Sequence, residues 1–175
     1  MLHQNHHPSL MQEGMIHGLP QFVWNLIWKV QLPYKVLNFI WKMLHGSLPV
    51  FEVLNKRGIT IPNNCHMCNE EEESINHLFL HYPFARAIWY GSNLEVTTLD
   101  LVHNSVTHWL ASCILRNVNR DNDRMFFLQS IFTILWSIWN HRNTVLHQGQ
   151  LPNPIEVILT SWSLTCRYQE VFQTN

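Results

Sequence analysis

Cys65 and Cys68 stand with two residues between them. Eight residues further on, His77 and His81 follow with three between, in the run CHMCNEEEESINHLFLH. A Cys-x2-Cys turn sets two thiols on one side of a knuckle, and histidines four apart share one face of a helix. Cys65, Cys68, His77 and His81 together can close a tetrahedral Cys2His2 site around one structural Zn(II), with ligands at about 2.0–2.3 Å. The bland alternative is two loop thiols and a core histidine. The eight-residue spacer is shorter than the roughly 12 residues that DNA-reading zinc fingers use. The spacing therefore describes a structural knuckle and not a base-reading finger.

Other chemistries lack their residues. Asp100, Asp121 and Asp123 are the only aspartates, too few for a dispersed two-metal carboxylate site. There is no Gly-x-Ser-x-Gly, phosphate loop or Gly-x-Gly-x-x-Gly. Cys113 and Cys166 fall on apolar helical faces and read as buried thiols. Three good ligands and a water would resemble a catalytic zinc site, but no carboxylate is set apart as a general base. The expectation is a protein that is not an enzyme.

Charge narrows the partners. The 175 residues carry 11 Lys and Arg against 12 Asp and Glu, and only 13% are charged. A strongly basic nucleic-acid binder and an acidic tail protein are both excluded. Locally, residues 20–64 hold Lys29, Lys35, Lys42, Lys56 and Arg57 against the single Glu52. They mark a weak RNA- or DNA-binding face, beside the plainer reading of a solvated surface. The run Glu70–Glu73 would repel a phosphate backbone, and reads as keeping the knuckle soluble or supporting the next helix through its dipole.

The elements around the knuckle read as helices. Val36, Leu37, Ile40 and Leu44 form one face of a helix opened by Pro33 and capped by Gly46. Short helices follow over 50–56 and, from Ser74 as N-cap, through His77 to His81. Pro83 opens another over 84–90. A helix is predicted over 99–115, and a long one over 124–147. Ser130, Thr133, Ser137, His141 and Thr144 form the narrow polar stripe of the long helix. The wide apolar remainder, including Ile131, Phe132, Leu135 and Ile138, predicts exposed surface for self-association or a protein partner. Asn153-Pro154 starts the last helix, with Ile155, Ile158, Leu159, Trp162 and Cys166 as its buried face. No period-2 strand run appears, so the expected fold is all-α with one loop-rich knuckle. The divisions are a disordered leader over 1–20, a helical zinc-binding domain over 21–115, a polar linker over 116–123 and a helical extension over 124–175. The apolar stretch 125–139 is shorter than the roughly 20 residues of a span, and the N-terminus lacks a cationic start and a long apolar run. An intracellular, nuclear or cytoplasmic, reducing setting follows, without a membrane.

Three stretches in order carry a resemblance: FVWNLIWKVQLPYKVLNFIWKMLHGSLPV, then LNKRGI, then CHMCNEEEESINHLFLHYPFARAIW. Residues 22–90 resemble the zinc-binding domain downstream of the reverse transcriptase in plant non-LTR retrotransposons. WSIWNHRNTVLHQGQLPNPIEVI looks like the segment that leads into the ribonuclease H domain of such elements. The resemblance implies zinc on Cys65, Cys68 and His77. Its fourth ligand, a cysteine, falls on Tyr82. A phenol with a pKa of about 10 is a poor zinc ligand at neutral pH, so the adjacent His81 is expected to take over. The implied function is a non-catalytic zinc-knuckle module derived from a retrotransposon polyprotein, with weak nucleic-acid binding. The alternative is a helical protein–protein scaffold, or a functionless retroelement remnant, without metal.

Overall fold

In a computed structural model, residues 15–16, 18–62, 64–92, 94, 105–116 and 121–173 are described. The fold is all-α. Two two-residue strands, β1 (Met15–Ile16) and β2 (Leu19–Pro20), pair antiparallel and lead into α1 (Gln21–Lys29). Leu19 is fully buried, so the end of the stretch read as a leader is tied to the core. Residues 1–14 of that expected leader lie outside the described residues.

Next come α2 (Tyr34–Leu44) and α3 (Phe51–Lys56). Gly46 and Gly58 follow them at φ 60° and 84°, the left-handed conformation that ends a helix and that glycine adopts without a Cβ penalty. A single π-helical turn spans His77–His81, and α4 (Pro83–Gly91) starts immediately on its proline. Then come α5 (Val106–Arg116), α6 (Asp121–Gln148) and α7 (Pro154–Gln173). The first part of the helix expected over 99–115 lies outside the described residues, and α6 begins three residues earlier than its expected start. Asn153 caps α7, its Oδ1 accepting from the N–H groups of Ile155 (3.1 Å) and Glu156 (3.3 Å). Among the described residues no helix is long and apolar enough to cross a membrane.

One hydrophobic cluster runs from Leu19 to Val157. Phe39 on α2 lies against Phe79 of the π turn (6.0 Å between ring centroids) and Trp136 of α6 (5.3 Å). Trp89 packs on Trp109 at 4.8 Å and donates Nε1–H to the Phe79 carbonyl at 2.7 Å. Gln129 on α6 reaches the Gln31 carbonyl between α1 and α2 at 2.8 Å. The knuckle region and the long helices therefore share a core.

The pairing of α6 with α7 reverses the expected faces. Ser130, Thr133, Ser137 and His141 of α6 are buried, opposite Val157, Ser161 and Thr165 of α7, which are buried too. Thr133 and Thr165 meet at 2.6 Å between hydroxyls. Most of these hydroxyls also donate to carbonyls of their own helix, as Ser130 does to Phe126 (2.8 Å) and Thr165 to Ser161 (2.9 Å). Bonded back in this way, Ser and Thr behave as small, satisfied side chains, and two helices can approach closely over them. The apolar residues of α6 (Ile131, Phe132, Leu135, Ile138) are buried on its other sides and leave no exposed patch there. On α7, by contrast, Ile155, Leu159 and Trp162 are exposed, contrary to their expected burial.

Candidate metal centre

The knuckle is a tight hairpin. Its stem closes through a bridge between Asn64 and Glu72 and the Cys65 N–H donating to the Glu71 carbonyl at 2.8 Å. Inside it, the Cys65 carbonyl accepts from Cys68 N–H (3.3 Å) and Asn69 N–H (2.7 Å), while Met67 N–H points at Cys65 Sγ (3.4 Å). The turn needs one left-handed residue, supplied by Asn69 at φ 59°, a conformation asparagine tolerates better than most. The two sulfurs are thereby turned to one side.

His77 is delivered by the turn that follows. Its N–H donates to Ser74 Oγ at 3.1 Å, the predicted capping contact. Its Nδ1 lies 3.0 Å from Glu71 Oε2, and its Nε2 lies 3.5 Å from Cys68 Sγ. A carboxylate only accepts, so Nδ1 carries the hydrogen, and Nε2 is the ring nitrogen that faces the Cys68 sulfur. A carboxylate behind a metal-facing imidazole orients the ring and raises its basicity.

Ligand atoms of Cys65, Cys68 and His77 all lie within 4.8 Å of one another. In a tetrahedral zinc site, neighbouring sulfur and nitrogen ligands stand about 3.5–3.8 Å apart, so the three residues fit Zn(II). Among the described residues this is the one such cluster of His, Cys, Asp or Glu. All four cysteines are free thiols. Cys65 is fully buried, and burial pushes its thiol up to about 11, against a smaller opposing pull from the Met67 and Cys68 amides. Without a cation nearby this thiol stays protonated at neutral pH. A metal ion would displace that proton.

The structure does not bring His81 into this group. The π turn contains one residue more than an α-turn, and it closes on the next residue, with Tyr82 N–H donating to the His77 carbonyl at 3.1 Å. The Tyr82 ring then stacks on His77 at 5.3 Å, and its hydroxyl donates to the Met67 carbonyl at 3.0 Å. Burial first, then the neighbouring Cys65 and Cys68, raise the Tyr82 pKa well above its ordinary 10.0. Tyr82 is thus a neutral phenol bracing the knuckle's backbone where the resemblance leads one to expect a cysteine.

Glu73 departs from the reading of the acidic run as a solubilising segment, which the exposed Glu70, Glu71 and Glu72 fit. It is 0% exposed and clasped by Arg142 of α6, itself 3% exposed. Arg142 Nε donates to Glu73 Oε2 at 3.0 Å, and Nη2 donates to Oε1. The same Oε1 accepts from the Phe51 N–H at 3.1 Å. The guanidinium lies 5.1 Å from the Phe51 ring centroid and 5.2 Å from that of Trp139. Glu71 stands 70% exposed beside the metal cluster, while Glu73, two residues on, is a core residue.

The expected basic face is only partly assembled. Lys29, Lys35 and Lys42 are exposed on α1 and α2, with Trp28, Tyr34 and Trp41 exposed among them. The aromatic members were not counted with the basic face in the sequence, although Tyr34 and Trp41 repeat the seven-residue spacing of Lys35 and Lys42 one position earlier. Lys56 pairs with Glu52, and the hydrogen bond to Glu52 raises its pKa. Arg57 Nη2 donates to the Ser47 carbonyl at 3.5 Å.

Residues 9–89 match the family model described as zinc-binding in reverse transcriptase. An Arabidopsis thaliana protein named "Putative ribonuclease H protein" is 29% identical over 86 residues, which cover 49% of this chain and 14% of that protein. No solved structure matches the chain.

Proposed function

We propose, from the match of residues 9–89 to the family of zinc-binding domains in reverse transcriptases, that this chain is a non-catalytic helical module stapled by one structural zinc ion. The observation that carries this reading is the convergence of Cys65, Cys68 and His77 with Glu71 behind the imidazole. A bound Zn(II) supplies a cross-link between the knuckle and the π turn. The chain's own residues do the rest: the hairpin aims two sulfurs, Glu71 fixes the histidine tautomer, and Tyr82 braces the Met67 carbonyl. The fourth position falls to a water, or to His81 after rotation of its side chain.

Zinc content of the purified chain, followed by a Co(II) titration read by thiolate–metal absorbance, tests the reading. One metal per chain is expected, lost on Cys65→Ala. A fall of at least about tenfold in affinity on His81→Ala assigns the fourth position to His81, and no change assigns it to water. A chain that holds no zinc, and whose circular dichroism ignores both metal and chelator, defeats the proposal.

The same module offers weak, sequence-independent nucleic-acid binding through Lys29, Lys35 and Lys42, with Lys56 and Arg57 at the end of α3. The exposed rings among the lysines of α1 and α2 favour a single strand, because bases stack on aromatic faces. Fluorescence titration with a single-stranded oligonucleotide should show affinity dropping steeply between about 50 and 200 mM salt. Lys35→Glu with Lys42→Glu should abolish it. Indifference to both removes this part of the proposal.

A further inference from the structure

Helix α7 carries an apolar stripe that the other described elements leave largely exposed, although the Trp162 ring meets Phe126 of α6 edge-on at 6.5 Å. Ile155, Leu159 and Trp162 are 66%, 64% and 60% exposed, and Leu151 just before the helix is 83% exposed. Half-buried Cys166 continues the stripe. Together these side chains present on the order of 500 Å² of apolar surface, the size of the largest patch on a monomer surface, about 300–600 Å², which is often an interaction site. The opposite face of α7 is occupied, since Val157, Ser161 and Thr165 are buried.

We infer that a second copy of this chain covers the stripe, α7 packing antiparallel on its own counterpart about a two-fold axis. The spacing supports self-complementarity. Ile155, Leu159, Trp162 and Cys166 are four, three and four residues apart, the alternation of a coiled-coil seam. Run antiparallel about a point between residues 160 and 161, the seam closes on itself. Leu159 meets Trp162 of the second copy and Ile155 meets its Cys166, each twice by symmetry.

Charge points to the same register. Glu156 and Arg167 lie on the same flank of the stripe, and same-side flanks meet in an antiparallel pair. The axis that matches the apolar residues brings Glu156 within side-chain reach of Arg167 of the second copy, again twice. A parallel pair would instead set that flank against the opposite one, leaving Glu156 and Arg167 apart. Two copies would bury on the order of 1,000 Å², the lower bound for a specific interface.

Sedimentation velocity of the full, zinc-loaded chain under reducing conditions tests this. A reversible dimer with a dissociation constant on the order of 10 µM is expected. Trp162→Glu and Leu159→Arg, both at exposed positions, should each give a monomer with unchanged circular dichroism. Glu156→Arg or Arg167→Glu alone should weaken the dimer at least about tenfold at low salt. The two together should restore it. A monomer up to about 100 µM overturns the inference. So does a dimer indifferent to Trp162→Glu and Leu159→Arg, or a charge-swapped double variant no better than the singles.

Discussion

Replacing Glu73 by Gln should be among the most destabilising single changes in this chain, although it alters one atom. The Glu73 side chain accepts three hydrogen bonds, from Arg142 Nε, Arg142 Nη2 and the Phe51 N–H. Gln can still accept from Phe51, but its amide NH2 would point hydrogens at the guanidinium. Arg142 would then be a buried cation without a counter-charge. At an effective dielectric of about 20, opposite charges 4 Å apart attract by roughly 4 kcal/mol. The rings of Phe51 and Trp139 would remain, and each cation–π contact returns about 0.5–2 kcal/mol. Breaking one side of such a pair generally costs about 3–5 kcal/mol, and that is the expected loss for Glu73→Gln. Urea unfolding of the zinc-loaded chain, read by Trp fluorescence and far-UV circular dichroism, measures it. Total stability of a domain is about 5–15 kcal/mol, so the single variant can be largely unfolded. The companion Glu73→Gln/Arg142→Met removes both charges and should recover more than half of the loss. A Glu73→Gln penalty below about 1 kcal/mol, or a double variant no more stable than the single, would refute the assignment of the pair as the tie between knuckle and α6.

Other expectations follow from the same contacts. Zinc must displace the proton of Cys65, so metal affinity should rise by about tenfold per pH unit for each proton released, checked by calorimetry in buffers of different ionisation enthalpy. The metal-free chain should lose stability as pH climbs from 9.0 toward about 11, because the buried thiol resists ionisation that the unfolded thiol undergoes. His141 Nε2 accepts from the Asn153 N–H at 3.0 Å, and burial lowers its pKa below 6.5 against a smaller opposing effect of Glu156. Its contribution should be complete above pH 6.5 and fade as pH falls through the lowered folded value. His141→Gln should flatten that part of the pH–stability profile. Thr133→Val should cost about 1 kcal/mol by removing the hydroxyl contact with Thr165, whereas Ser137→Ala should be neutral or stabilising by up to about 1 kcal/mol. The Ser137 hydroxyl is buried without a hydrogen-bond partner, and urea midpoints of the two variants check the contrast.

Local chemistry made much of this legible in advance. Pro33, Gly46, Ser74, Pro83 and Asn153 act through the backbone within a turn of themselves, and the helices begin or end at or next to them. Cys65, Cys68 and His77 were readable because metal-ligand spacing is itself a short-range constraint, and the structure brings them together. Long-range partners left no such mark. Nothing within the run Glu70–Glu73 distinguishes Glu73, whose partner lies 69 residues away. The α6–α7 seam was inverted for a related reason. Ser and Thr count as polar in a periodicity, yet hydroxyls bonded to their own helix pack as small side chains. His81 was aligned with His77 on α-helical geometry, and the π turn changed the phase between them.

The shared core also separates two boundaries that are easily conflated. The family match ends at residue 89, but Arg142, Trp136 and Trp109, which complete the surroundings of Glu73, Phe39 and Trp89, lie beyond it. A fragment cut at the edge of the match would keep Cys65, Cys68 and His77 while stranding a carboxylate inside an opened core. The stretch that recurs between proteins is thus smaller than the cooperative unit. Transplanting it as a self-sufficient cassette would require either carrying α6 along or rebuilding position 73 as an apolar residue.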